Sequence, residues 1–143
     1  MSPNRPACCL VLLLRVAGTA MLLALVGVFM PVSWMAAVHE RLGLGPFPQG
    51  PIIEYLARSL SFFYAVMGAL FWLLATDLVR YAAAVALMGW VSVIGGLGVI
   101  VLDLYLRLPS SWSLTEGPFT VAMGILILLL LRRSVQGGET SSG

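Results

Sequence analysis

Two acid–arginine pairs are the sharpest chemical feature of this chain. Glu54 precedes Arg58 by four residues, and Asp103 precedes Arg107 by the same distance. Side chains at this spacing share one face of an α-helix and can form an ion pair. Ionisable groups next to long apolar segments usually pair, face a bundle interior or mark a path for ions. We expect these four residues to form one charged cluster with His39 and Glu40.

Three interpretations of this cluster are open. The first is a latch at one end of a helix bundle, in which Arg58 pairs with Asp103 and Arg107 reaches Glu54. The second is a ligand or proton site that also uses His39, Glu40 and Trp112. The third is a set of solvated side chains without a network.

Other chemistry has little support in the sequence. His39 is the single histidine and cannot supply two axial haem ligands. Cys8 and Cys9 are adjacent and lack the spacing of a zinc or redox motif, so we interpret them as reduced, inert thiols, with acylation or metal binding as alternatives. No nucleophile motif or phosphate-binding loop occurs. We therefore predict no enzymatic activity, no catalytic residue, no metal and no cofactor.

The composition indicates which solvent surrounds the helices that carry these residues. The 143 residues are 60% hydrophobic and only 10% charged, with a mean hydropathy of +1.01. A chain of this size cannot bury so much apolar surface in one core, so the lipid bilayer is the expected solvent. A net charge of +2 with no lysine excludes a nucleic-acid partner.

Four apolar segments are long enough to cross a bilayer. The predicted fold class is an all-α integral membrane four-helix bundle, formed by one membrane domain over residues 1–143. A short interfacial helix is expected between the first two spans, capped by Ser33 and ended by Gly43. Arg15 interrupts the first segment, which argues against a cleaved signal peptide. The spans cover approximately 10–30, 52–75, 81–106 and 116–132, and a disordered tail covers 137–143.

The arginine distribution predicts the orientation of the spans. With the amino terminus inside, five arginines face the cytoplasm and three face outside, and the net charges are +3 and −1. The Arg132–Arg133 pair directly after an apolar segment is the strongest element of this bias. A multi-pass protein of the cell membrane with both termini cytoplasmic is therefore expected, and the charged cluster lies on the outer side.

Small residues at helical spacing predict close helix packing. They recur along the first and second spans, and Ser92 and Gly96 lie in the third. Small side chains let helix backbones approach closely in lipid. We expect spans two and three to contact each other near Ala65 and Ser92.

Several short segments resemble the small four-helix bacterial membrane proteins of the DoxX-like group. They are Tyr55-Leu56-Ala57-Arg58-Ser59, Asp77-Leu78-Val79-Arg80, Leu102-Asp103-Leu104 and Glu116-Gly117-Pro118. The resemblance implies a compact bundle in a bacterial inner membrane, with an accessory role beside a membrane redox complex. It carries no catalytic residue over to this chain.

The function predicted from these features is that of a structural or accessory protein of a membrane complex. Its expected partners are the lipid bilayer and either a membrane protein or a second copy of itself. The alternative is a small transporter or a lipid- or quinone-binding protein that uses the outer charged cluster.

Overall fold

The structure is a computed structural model that describes residues 5–108 and 110–139. Over these residues the chain is all-α, with no β-strand. The helices are α1 (Arg5–Leu22), α2 (Leu25–Phe29), α3 (Val32–Arg41), α4 (Pro51–Leu74), α5 (Ala82–Leu106), α6 (Ser110–Ser113) and α7 (Glu116–Glu139).

Four stretches of helix are long and apolar enough to cross a membrane, as the sequence predicts. They have 21 to 25 residues each, and about 20 residues of α-helix match the hydrocarbon thickness of a bilayer. The first combines α1 with α2 and begins at Arg5, because polar residues before an apolar segment can continue its helix. The others are α4, α5 and Glu116–Gln136 of α7.

The carboxyl end of α7 extends further than the sequence suggests. The helix continues to Glu139, so residues 137–139 of the predicted tail are helical. No proline interrupts the backbone hydrogen bonds there. The rest of the predicted tail, 140–143, lies outside the described residues.

The first span is interrupted where α1 meets α2. The amide of Ala24 bonds to the carbonyl of Met21, and the amide of Gly27 bonds to that of Ala24, in three-residue steps. Such steps tighten a helix locally into a 3₁₀ turn. The span then ends at Met30, whose extended ψ of 132° is typical of a residue before proline.

Helix α3 begins earlier than predicted and ends as predicted. Its N-cap is Pro31 without a side-chain hydrogen bond, so the prediction that Ser33 is the cap is wrong. The Pro31 carbonyl accepts the first helical bonds directly, from Trp34 and Met35. The predicted end at Gly43 is confirmed: Gly43 has φ +76°, and the bonds from its amide and that of Leu44 complete a Schellman motif.

The chain divides into two compact units. One is Val16–Trp72, called here the Arg58 unit. The other combines Met1–Arg15 with Leu73–Gly143 and is called the Asp103 unit. The single domain expected over 1–143 stays a prediction.

Packing in the Arg58 unit depends on a glycine contact between α1 and α4. A Cβ atom at Gly68 would lie 2.6 Å from the carbonyl oxygen of Gly18 and 2.7 Å from the amide nitrogen of Leu22. The Trp72 indole also donates to the Thr19 hydroxyl across the same pair of helices (3.1 Å). The two backbones therefore touch where side chains would separate them.

The Asp103 unit has the same kind of glycine contact, between α5 and α7. A Cβ atom at Gly124 would lie 2.6 Å from the carbonyl oxygen of Gly89 and 2.9 Å from Cβ of Ser92. A Cβ atom at Gly96 would lie 2.9 Å from the amide nitrogen of Val121 and 3.0 Å from the carbonyl oxygen of Gly117. The structure packs Gly89, Ser92 and Gly96 of span three on span four. The predicted contact between spans two and three near Ala65 and Ser92 would join the two units and stays a prediction. Small residues predict close approach but do not identify the approaching helix.

Candidate functional site

Arg58 connects two parts of its unit. Its Nε and Nη2 atoms donate to Oε1 of Glu54, at 3.0 and 2.7 Å. Nη1 donates to the carbonyl oxygen of Val28, and Nη2 also donates to that of Met30 at 3.2 Å. One guanidinium group therefore links α4 to the end of the first span.

The carbonyl groups that Arg58 binds are available as acceptors because Pro31 ends the helix. Proline has no amide hydrogen, and the extended Met30 turns the chain away from the helix axis. The last carbonyls of α2 therefore lack partners in a following turn. A cation at a helix carboxyl end also interacts favourably with the helix dipole. Sequence reasoning missed this role, and the signal was a proline at the end of one span with an arginine on the next.

Glu54 completes this arrangement. It lies in the first turn of α4, where a negative charge is stabilised by the helix dipole. The Arg58 and Glu54 side chains are 32% and 40% exposed. At this exposure an ion pair along one helix contributes only about 0.3–0.5 kcal/mol. The arrangement has the chemistry of a structural clamp, since its donors already have acceptors.

His39 and Glu40 lie in different surroundings. Nδ1 of His39 donates to the carbonyl oxygen of Gly45 at 2.9 Å, and its ring meets Phe47 edge-on at 5.4 Å. His39 therefore fixes the loop after α3, while Glu40 is exposed. The Trp112 side chain, which the sequence adds to a ligand or proton site, lies outside the described residues.

The second acid–arginine pair does not share a helix face, so this prediction is wrong for Asp103 and Arg107. Helix α5 ends at Leu106, and Arg107 adopts a left-handed conformation with φ 53° and ψ 44°. The amide of Leu108 then bonds to the Asp103 carbonyl, which gives a Schellman ending with arginine where glycine is usual. Because the helix has ended, the four-residue spacing no longer brings the side chains together.

Asp103 is the buried charged residue of the described chain. It is 4% exposed, and its Oδ2 atom has no hydrogen-bond partner. A buried carboxylate oxygen without a donor is energetically costly. Asp103 lines a cavity of about 300 Å³ that is also lined by Leu104, Arg107, Leu108, Ser110, Ser113 and Leu114.

Metal ligation finds no support in the described residues. They contain no group of three or more histidine, cysteine, aspartate or glutamate side chains placed to hold an ion. Cys8 and Cys9 are free and exposed near the start of α1. Their inertness stays a prediction.

The six residues of the predicted cluster belong to two different settings. Four lie in the Arg58 unit, where Glu54 and Arg58 pair and His39 binds its own loop. Asp103 and Arg107 lie in the Asp103 unit, where they line one cavity. The predicted contact between Arg58 and Asp103 would join the two units and stays a prediction. No family model, curated protein or solved structure matches the chain.

Proposed function

We propose that this chain is a multi-pass membrane protein with four transmembrane helices. The observation that carries the proposal is the apolar surface of the four candidate spans. Phe29 is 78% exposed, Ile94 67% and Phe119 65%, in company with many leucine and valine side chains. Contiguous apolar surface on this scale is stable against lipid and promotes aggregation in water.

The proposed orientation places both termini in the cytoplasm and α3 at the outer membrane surface. The arginine bias supports the orientation. Trp34, Val38 and Leu42 are exposed and follow each other at four-residue spacing along and just beyond α3. An apolar stripe on a short helix between two spans supports insertion at the lipid interface.

Topology reporters test this proposal. A reporter that is active only in the periplasm should be inactive when fused at Gly143 and active when inserted within 46–50. Activity at Gly143 would contradict the orientation. Extraction of the chain by carbonate washing, without detergent, would contradict membrane insertion itself.

For the role in the membrane, we propose a structural or accessory subunit without catalytic activity, bound to another membrane protein. Helix α5 has glycines on two sides. Gly89 and Gly96 meet α7, while a Cβ atom at Gly95 or Gly98 would meet no atom within 4 Å. Since the first side accepts a neighbouring helix backbone, the second fits a transmembrane helix of a partner. The resemblance to the DoxX-like group supports a partner in a membrane redox complex.

Photo-crosslinking tests this role. A photoreactive residue at Gly98 should give one discrete product in native membranes, identified by mass spectrometry as a membrane protein. The same residue at Leu97, exposed on a neighbouring face, should give none. Gly95→Leu should abolish the product by blocking close approach. A product that contains only copies of this chain would show self-association instead of a different partner protein. Diffuse products at both Gly98 and Leu97 would contradict the proposed role.

The second candidate function is a small transporter or a lipid- or quinone-binding protein. The cavity at Asp103 favours it, because a buried carboxylate with an unpartnered oxygen is an unusual lining for a purely structural cavity. Arg58, in contrast, is already bound on three sides.

A further inference from the structure

We propose that the cavity at Asp103 binds the phosphoethanolamine headgroup of a membrane lipid. In this arrangement Asp103 accepts hydrogen bonds from the ammonium group, and Arg107 faces the phosphate. The inference rests on the membrane insertion proposed above. It gives a chemical identity to the ligand of the second candidate function.

The buried carboxylate of Asp103, which lines the cavity, determines one half of the ligand. A carboxylate oxygen only accepts hydrogen bonds, so its partner in the cavity must be a donor. A primary ammonium supplies three N–H groups and a positive charge, and such charge-assisted bonds are the stronger ones. A quinone carbonyl only accepts hydrogen bonds, and a trimethylammonium group has no N–H. Neither would donate a hydrogen bond to the Asp103 carboxylate.

The rest of the lining determines the other half of the ligand. Arg107, Ser110 and Ser113 line the same cavity, and their side chains carry a guanidinium group and two hydroxyl groups. In the described part of the chain, the Arg107 side chain has no ion pair with Asp103 or any other acid. Guanidinium and hydroxyl groups are the usual donors to phosphate. A negative and a positive side chain on one cavity therefore match a zwitterion.

The position and size of the cavity favour a lipid headgroup. Asp103 lies in the last turn of a candidate span, and Arg107 follows the end of that span, which is the depth at which headgroups meet the bilayer. Leu104 and Leu114 line the cavity and are exposed, so acyl chains can lie beside it. A volume of about 300 Å³ is at the lower limit of small-molecule pockets and suits a headgroup better than a whole lipid.

The headgroup preference of the full-length chain tests this inference. Protein purified in a mild detergent is supplied with equal amounts of phosphatidylethanolamine, phosphatidylcholine and phosphatidylglycerol, and bound lipid is measured by native mass spectrometry. We expect wild type to retain phosphatidylethanolamine about tenfold better than the other two, since one charge-assisted bond is worth at least a factor of ten. Equal retention of the three lipids would overturn the inference.

Two variants test whether Asp103 and Arg107 cause the preference for phosphatidylethanolamine. Asp103→Asn should reduce retention of phosphatidylethanolamine to the level of phosphatidylcholine. The matched control is Asp77→Asn, at an exposed aspartate of the same unit, which should behave as wild type. If Asp103→Asn does not fold, Arg107→Gln replaces it and should reduce retention of phosphatidylethanolamine. A preference that persists in a folded Asp103→Asn or Arg107→Gln protein would overturn the site.

A soluble competitor separates a lipid from a soluble ligand with the same headgroup. Glycerophosphoethanolamine should displace the lipid only at concentrations far above that of the lipid, because it lacks acyl chains. Displacement at equal concentrations would assign the cavity to a soluble phosphoethanolamine compound and overturn the lipid assignment. Wild type that is folded in micelles without headgroup preference would overturn this inference alone, whereas reporters or carbonate washing that exclude membrane insertion would overturn the proposed function.

Discussion

The two acid–arginine pairs have the same spacing and opposite surroundings. Glu54 and Arg58 lie in the first turns of α4, where the helix holds their side chains on one face and they pair at 2.7 Å. Asp103 and Arg107 lie at the end of α5, where the left-handed Arg107 ends the helix between them. Arg58 makes four hydrogen bonds within its own unit. The second pair lines a cavity, and one carboxylate oxygen of Asp103 has no partner.

The difference shows that spacing alone does not decide whether charges pair. The four-residue rule holds only while the backbone is helical through both residues. Once the helix ends, the same two residues can present opposite charges to a third molecule. Under the proposals above, the Arg58 unit is a closed structural element and the Asp103 unit is a binding element.

The largest expected effect concerns the close glycine contacts between helices that both units contain. Gly68→Ala in the Arg58 unit and Gly124→Ala in the Asp103 unit each place a Cβ atom 2.6 Å from a backbone oxygen. Each should lower the free energy of unfolding in micelles by about 3 kcal/mol, because backbone rather than a flexible side chain must move. Gly95→Ala is the control, since its Cβ atom meets nothing within 4 Å. A loss as large for Gly95→Ala would contradict the packing described here.

The next effect tests whether Arg58 is a structural clamp. Arg58→Met keeps most of the apolar stem of the side chain and removes its donors to Val28, Met30 and Glu54. We expect a loss of about 2 kcal/mol in unfolding free energy, since bonds to charged groups contribute about 1.5–3 kcal/mol. Arg41→Met, at an exposed arginine of the same unit, should change stability by less than about 0.5 kcal/mol. Equal effects of the two substitutions would show that the clamp does not stabilise the fold.

A smaller effect of opposite sign is expected at Arg107. Its φ of 53° is unfavourable for a residue with a Cβ atom, and glycine adopts it freely. Arg107→Gly should therefore raise the free energy of unfolding by about 1 kcal/mol while weakening retention of phosphatidylethanolamine. Leu106→Gly, one residue earlier within the helix, should lower it by a similar amount. A stability loss in Arg107→Gly would mean that the arginine side chain stabilises the free protein.

The sequence predicts well what depends on hydropathy and local backbone preferences. The four spans follow from apolar length, and the end of α3 follows from Gly43. It predicts poorly what depends on where a helix stops or which helix approaches. The pairing of Asp103 required knowledge of the backbone at Arg107, and the partner of Gly96 required the tertiary structure. Ser33 illustrates a local rule overridden by another, because Pro31 starts the helix first.

Two double-mutant cycles test whether the Glu54–Arg58 pair is closed and the Asp103–Arg107 pair is open. The cycles combine Glu54→Gln with Arg58→Gln, and Asp103→Asn with Arg107→Gln, and are read as unfolding free energies in lipid-free micelles. We predict a coupling energy of about 0.5 kcal/mol for the first pair. For the second pair we predict additivity within about 0.3 kcal/mol. Coupling of the Asp103–Arg107 pair as strong as that of Glu54–Arg58 would contradict this difference between the two pairs.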